Sequence, residues 1–242
     1  MNHLLPTQLD YILIDASSSM LSKWQSTIMS LNQYLTHLRR ANLNARIIVS
    51  TFSSHSHANT ELDMDLSQFE NLPIQCHGGR TPLYDAINTA ARAIKDIDPQ
   101  RATVLIVTDG EENSSRYTNE HQARAMLNWL RAKGYQVVFF GCDFNNSAQA
   151  RLLGASDDTA IGVQAALLTD AAKLLASKRL SYGLAGQDIH FSVAEQQQFG
   201  GLLPAPQSGT ERDRAGQSGT ERDRAGQSGI CPKTTNHHGA PK

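Results

Sequence analysis

Five oxygen-bearing side chains in three separate segments have the types and spacing of a cation site. Asp15, Ser17 and Ser19 alternate in the segment DASSS, Thr81 lies in GGRTPLYDA, and Asp109 lies in TDGEE. Carboxylates, hydroxyls and water are the ligands that hard divalent cations such as Mg²⁺ prefer. The set needs no cysteine or histidine, so zinc fits it poorly. These residues therefore predict a site for a hard divalent cation.

The segments that carry these residues follow or precede regular elements. Residues 11–14 and 103–108 are short apolar runs typical of buried strands, and each is followed at once by one of the two aspartates. Thr81 precedes a helix predicted over 82–97, with Pro82 in its first turn and Thr81 as a possible cap. Ligand sites in parallel sheets lie at the carboxyl ends of strands, where the strand order reverses. The three segments are therefore expected to meet at one edge of a sheet.

The rest of the chain alternates in the same way between apolar runs and amphipathic stretches. This alternation predicts an α/β fold, a three-layer, Rossmann-like, doubly wound and mostly parallel sheet with helices on both faces. The segment 56–64 is polar and weakly alternating, which favours an edge strand. The remaining predicted strands are 46–52, 135–140 and 159–163, and the remaining predicted helices are 21–40, 118–133, 147–153 and 165–181.

In order and spacing, the three segments resemble the metal-ion-dependent adhesion site of von Willebrand factor A domains. The strand and helix alternation resembles that family from about residue 9 to residue 181. The resemblance implies Mg²⁺, or Mn²⁺ or Ca²⁺, held by Ser17, Ser19 and Thr81. It implies that Asp15 and Asp109 act largely through water.

The resemblance also implies a function. It points to a protein-binding module whose partner supplies an Asp or Glu to the metal, with no catalysis and no organic cofactor. Small intracellular bacterial members are similar, and they imply a cytoplasmic adaptor or assembly factor. Ser18 departs from the family pattern, in which glycine is frequent, so the loop is expected to be less free.

The alternative function is a metal-assisted phosphatase or hydrolase that uses the same oxygens. Such chemistry needs an activated water and a positioned base. Asp109 or Glu111 is a candidate base, and Arg80 is the one candidate beside the site for holding a phosphoryl group. In the interaction module, Glu111 and Glu112 are instead predicted to be solvated loop charges.

Composition excludes several other classes of function. The chain has 22 basic and 23 acidic residues, a net charge of −1, which gives no support for nucleic-acid or anionic-membrane binding. The sequence has no GxGxxG after the first strand and no P-loop, so a nucleotide site is not expected. The first residues do not resemble a secretory signal, which favours a cytoplasmic location. Nothing in the sequence indicates an oligomeric state.

The domain prediction has three parts. Residues 1–182 form the α/β domain, and 183–203 form either a linker or a C-terminal packing segment. Residues 204–242 hold two copies of QSGTERDRAG, at 207–216 and 217–226, and only 6 of these 39 residues are hydrophobic. This small amount of apolar surface cannot offset the entropy lost when the chain is ordered. The tail is therefore predicted to be disordered.

Overall fold

Six strands with mostly buried residues form one sheet in the computed structural model, which describes residues 8–55, 58–142 and 147–200. The strands are β1 Gln8–Asp15, β2 Arg46–Phe52, β3 Asn59–Asp65, β4 Arg101–Thr108, β5 Gln136–Cys142 and β6 Ala160–Val163. Their order in the sheet is β3-β2-β1-β4-β5-β6, and only the edge strand β3 is antiparallel to its neighbour. The predicted edge strand is therefore confirmed as β3.

Helices cover both faces of this sheet, as predicted. The helices are α1 Trp24–Arg40, α2 Leu83–Ile97, α3 Glu120–Ala132, α4 Ser147–Leu152, α5 Leu168–Ala185 and α6 Val193–Gln198. Successive side chains of β1 pack on opposite faces: Tyr11 and Leu13 lie in the core under α2 and α3, whereas Ile12 and Ile14 lie in the core under α1 and α5. Because the strand is buried on both faces, its sequence is a continuous apolar run.

The order of the strands reverses beside β1. The chain leaves β1 for β2 on one side, and after β3 it returns to β4 on the other side of β1. Ile14 of β1 lies opposite Val107 of β4, so both strands end at the same level of the sheet. Asp15 ends β1 and Asp109 directly follows β4, so both predicted aspartates lie at the position where doubly wound sheets bind ligands.

The segment after the last predicted helix packs on the domain. Helix α5 continues to Ala185, beyond the predicted end at residue 181, and Gly186 ends it in a left-handed conformation with φ 70°. Ile189, Phe191 and Phe199 then lie buried in the core under α1 and α5. The short helix α6 in this segment was not predicted. The predicted repeat tail lies outside the described residues.

Four predicted helices begin one to three residues too early, since α1, α2, α3 and α5 were predicted to begin at residues 21, 82, 118 and 165. The helix predicted from residue 21 is instead a 3₁₀ turn at Ser18–Ser22 followed by α1. Helix α2 begins at Leu83, with Pro82 at the N-cap, and Thr81 does not cap it. None of the helices in the described part of the chain is both long and apolar enough to cross a membrane.

Candidate metal centre

Asp15 is the buried anchor of the site. Its carboxylate is fully shielded from solvent, Oδ1 accepts a hydrogen bond from the Ser17 N–H at 2.9 Å, and Oδ2 accepts one from Thr108 Oγ1 at 2.7 Å. Burial raises the pKa of Asp15, the hydrogen bonds from Thr108 and Ser17 oppose that rise, and the nearby charge of Asp109 adds to it. The aspartate therefore fixes the turn that follows β1 and ties it to β4.

Three of the other predicted residues form a continuous chain of contacts. Ser17 Oγ lies 3.1 Å from Ser19 Oγ, and Ser19 Oγ donates to Asp109 Oδ1 at 2.7 Å. Ser17 and Asp109 are buried and Ser19 between them is exposed, so the chain of oxygens reaches the surface at Ser19. The alternation of residues 15, 17 and 19 thus directs these polar side chains towards the end of β4.

Thr81 reaches the same place from the loop before α2. A Cβ added to Gly110 would lie 3.9 Å from Thr81 Oγ1 and 4.0 Å from Ser19 Oγ, so both hydroxyls face the same small space. Thr81 is buried, and its backbone is held by Asn113, which accepts from the Thr81 N–H at 2.9 Å and donates its own N–H to the Thr81 carbonyl at 3.1 Å. Thr81 therefore lies beside the end of β4, which the contacts from Ser17 to Asp109 also reach.

The loops carrying the serines and Thr81 are joined by their backbones. Gly78 N–H donates to the Ala16 carbonyl at 2.8 Å, and Ser18 N–H donates to the Gly79 carbonyl at 2.9 Å. Gly79 has φ 93°, and a Cβ there would come within 2.7 Å of Ser54 Oγ, so a side chain does not fit at this position. Ser18 Oγ accepts the Gly79 N–H at 2.9 Å. The departure at Ser18 therefore adds a bond between the two loops.

Lys23 is a charged residue of the site that the sequence interpretation missed. Its ammonium lies 2.6 Å from Asp109 Oδ2, and the Asp109 side chain is completely buried. Lys23 is also the N-cap residue of α1, whose first turn has no acidic residue. A cation at a helix N-terminus is unfavourable because it lies at the positive end of the helix dipole, so an acidic partner is expected nearby. The position of Lys23 at the start of α1 is therefore the sequence signal that could have indicated this ion pair.

The prediction that Glu112 is a solvated charge is wrong. Its Oε1 accepts the N–H groups of Ser114 and Ser115 at 2.7 and 2.6 Å, and its Oε2 accepts Ser115 Oγ at 2.7 Å and the Tyr84 N–H at 2.9 Å. The first-turn N–H groups of a helix lack partners within the helix, and the Tyr84 N–H is one of them. Glu112 therefore ties the loop after β4 to the start of α2.

The donor set fits a hard divalent cation. It offers two carboxylates and three neutral hydroxyls around one space, and no nitrogen or sulfur ligand is among them. Among the described residues, no group of three or more His, Cys, Asp or Glu side chains is arranged to hold a metal. A metal centre here would therefore depend on the hydroxyls of Ser17, Ser19 and Thr81.

Comparison with known proteins agrees with this fold. Residues 11–112 match the family model of the von Willebrand factor type A domain. That range contains all three predicted site segments. No protein of curated function matches the sequence.

Several solved structures share the fold at low sequence identity. The von Willebrand factor domain of the type V pili tip protein Mfa5 from Porphyromonas gingivalis aligns over 76% of this chain and 98% of its own, with 12% identity and a TM-score of 0.61. The pilus adhesin SpaC from Lactobacillus rhamnosus GG aligns over 76% of this chain and 31% of its own, with 12% identity and a TM-score of 0.59. The ArnB paralog VWA2 from Sulfolobus acidocaldarius aligns over 69% and 44%, with 17% identity and a TM-score of 0.52.

The family match, the strand order and these structures agree on the fold. Residues 11–112 match the von Willebrand factor type A domain model, and the described sheet has the fold of such domains. The chain spans less than half of the length of the SpaC and VWA2 structures, so the likeness concerns the domain and its fold.

Proposed function

We propose that the protein is a metal-dependent protein-binding module. Ser17, Ser19 and Thr81 would hold Mg²⁺, or Mn²⁺ or Ca²⁺, with Asp15 and Asp109 acting largely through water. The observation that carries the proposal is the continuous contact from Ser17 to Ser19 to Asp109 at the reversal of the strand order. When bound, the cation would supply an electrophilic position that attracts a carboxylate.

The chemistry of the donors indicates what the partner would contribute. Neutral hydroxyls leave most of the charge of a divalent cation uncompensated, so an incoming anionic oxygen is favoured. The partner would therefore supply an Asp or Glu side chain. Arg80, Asn113 and Arg116 are exposed, and Tyr117 is 76% exposed, so these side chains would set specificity around the shared metal contact.

Metal binding is the first test of this proposal. Calorimetric titration with Mg²⁺ and Mn²⁺ should show one site, and metal at 100 times its Kd should stabilise the fold by about 2.7 kcal/mol. Asp109→Asn and Asp15→Asn should each abolish both effects. Glu111→Gln is the matched control, because it removes the charge of an exposed carboxylate two residues from Asp109 and should keep the metal response. An unchanged metal response in both aspartate variants would exclude this site.

Partner binding is the second test. A pull-down with Mg²⁺ should capture a protein that is lost with EDTA and with Asp109→Asn. Thr81→Ala should weaken capture far more than it lowers the unfolding temperature, because the hydroxyl that would hold the metal is lost together with only one methyl group. Replacing an acidic residue of the captured protein should release it. Capture that is equal in EDTA and in both variants would show that recognition occurs elsewhere.

The proposal includes the absence of catalysis and a cytoplasmic role as an adaptor or assembly factor. Purified protein with Mg²⁺ or Mn²⁺ should hydrolyse p-nitrophenyl phosphate no faster than Asp109→Asn does. Metal-dependent turnover that is lost in this variant would favour the hydrolase instead. Cell fractionation tests the location.

A further inference from the structure

The ion pair between Lys23 and Asp109 occupies one side of the candidate metal centre. Asp109 has both carboxylate oxygens engaged, Oδ1 by Ser19 Oγ at 2.7 Å and Oδ2 by the Lys23 ammonium at 2.6 Å. The aspartate side chain is fully buried, and the lysine side chain is 21% exposed. A positive charge from the chain itself therefore lies against a carboxylate that the proposed metal also needs.

The backbone of Lys23 is fixed while its side chain keeps a route to solvent. Its N–H donates to the Met20 carbonyl at 3.0 Å, and its carbonyl accepts the Thr27 N–H at 2.9 Å and Ser26 Oγ at 3.2 Å. The residue joins the 3₁₀ turn to α1, so these bonds hold the Cα in place. The four-carbon stem is flexible, so the ammonium can leave Asp109 without a change in the backbone.

We infer that Lys23 is a built-in competitor of the divalent cation and sets the metal affinity of the site. This inference rests on the metal centre of the proposed function. Two cations near one buried carboxylate repel each other, and little solvent screens that repulsion. Metal binding must therefore either displace the ammonium or be weakened by it. The lysine also compensates the buried charge of Asp109, which would otherwise cost stability.

Removing the charge of Lys23 tests the inference in the full chain. Lys23→Met keeps the apolar stem, and its Kd for Mn²⁺ and Mg²⁺, measured by calorimetry at fixed ionic strength, should fall by about tenfold or more, which corresponds to about 1.4 kcal/mol. The unfolding temperature of this variant without metal should fall, and its rise on metal addition should exceed that of the wild type. Lys23→Gln serves if Lys23→Met does not fold.

Two variants control for net charge and for side-chain identity. Lys133→Met removes the same charge from an ion pair with Asp98 that is 3.6 Å long and lies at the far ends of α2 and α3, with side chains 47% and 62% exposed. Lys23→Arg keeps a charge at the site. Lys133→Met should bind metal within about threefold of the wild type, since exposed ion pairs contribute little free energy. Lys23→Arg should also stay within about threefold, because the positive charge beside Asp109 is retained.

The outcomes separate this inference from the proposed function. Tighter binding by Lys23→Met or Lys23→Gln alone supports the inference, and so does metal binding that appears only when the lysine is removed. Equal or weaker binding by these variants, with a wild type that binds metal, overturns the inference and leaves the proposed function intact. Equal tightening by Lys133→Met also overturns it, because the effect would then be one of net charge. No binding by any variant overturns both.

Discussion

At the scale of single residues, a fully buried ion pair lies away from the metal centre. Arg179 of α5 is fully buried, and its guanidinium donates to Asp10 Oδ1 at 2.9 Å and Oδ2 at 2.8 Å and to Gln8 Oε1 at 3.0 Å. Tyr34 of α1 donates its hydroxyl to Asp10 Oδ1 at 2.8 Å. One aspartate of the central strand thus links both helices of one layer to the sheet.

Removing Arg179 should therefore be costly. Arg179→Met leaves the Asp10 carboxylate buried without its cation, so the free energy of unfolding should fall by about 3–5 kcal/mol. The measurement is urea unfolding. Arg46→Met is the control, because its paired Asp63 is also held by two bonds, of 2.7 and 2.6 Å, but the two side chains are 33% and 42% exposed. That change should cost less than about 1 kcal/mol. If both variants lost the same free energy of unfolding, burial would not explain the cost of removing Arg179.

The five site residues could be predicted because each lies beside the end of a predicted strand or the start of a predicted helix. Asp15, Ser17 and Ser19 are two residues apart, and their contacts follow from one turn after one strand. Lys23 and Asp109 are 86 residues apart, and Arg179 and Asp10 are 169 apart, so their pairing depends on which strands and helices become neighbours. A single sequence shows the charge of such a residue and does not show its partner.

At the scale of elements, α2 and the loop after β4 cap each other. Ser115 Oγ accepts the Asp85 N–H at 3.1 Å, and the Asp85 carboxylate accepts the N–H groups of Arg116, Tyr117 and Thr118 at 2.8, 3.1 and 2.7 Å. A proline at the N-cap cannot supply a side-chain acceptor to the helix, so the loop supplies it. The sequence predicted the helix from Pro82 in its first turn, but the source of its cap depended on tertiary contacts.

Asp85→Ala should loosen this loop. Three backbone donors lose a charged acceptor, so the free energy of unfolding should fall by about 2–3 kcal/mol. Hydrogen exchange at the amides of residues 116–118 should quicken well beyond the change at β1. Asp96→Ala, at an exposed position of the same helix, is the matched control and should leave both quantities nearly unchanged. Unaltered exchange at 116–118 would show that Asp85 does not hold the loop.

At the scale of the whole molecule, the domain extends beyond the strand and helix alternation. The described residues after α5 close the core under α1 and α5, with Phe191 2% and Phe199 3% exposed. Phe191 N–H donates to the Asp158 carbonyl at 2.7 Å, and the Phe199 carbonyl accepts the Gln164 N–H at 2.9 Å. The scattered apolar residues of 183–203 left a linker and a packing segment equally open, because six-residue helices carry little periodic signal.

The end of the folded domain is therefore expected between residue 200 and the repeats. Deleting residues 204–242 should change the unfolding temperature and the metal affinity very little, because that stretch is nearly devoid of apolar side chains. Phe191→Ala in the full chain should instead lower the free energy of unfolding by about 3–5 kcal/mol, since it leaves a cavity in the core. Leu184→Ala, at a position 73% exposed, is the control and should have little effect. Thermal and urea unfolding measure all three. A large loss of stability on deleting 204–242 would show that the domain includes part of that stretch. No loss in Phe191→Ala would show that the domain ends before residue 191.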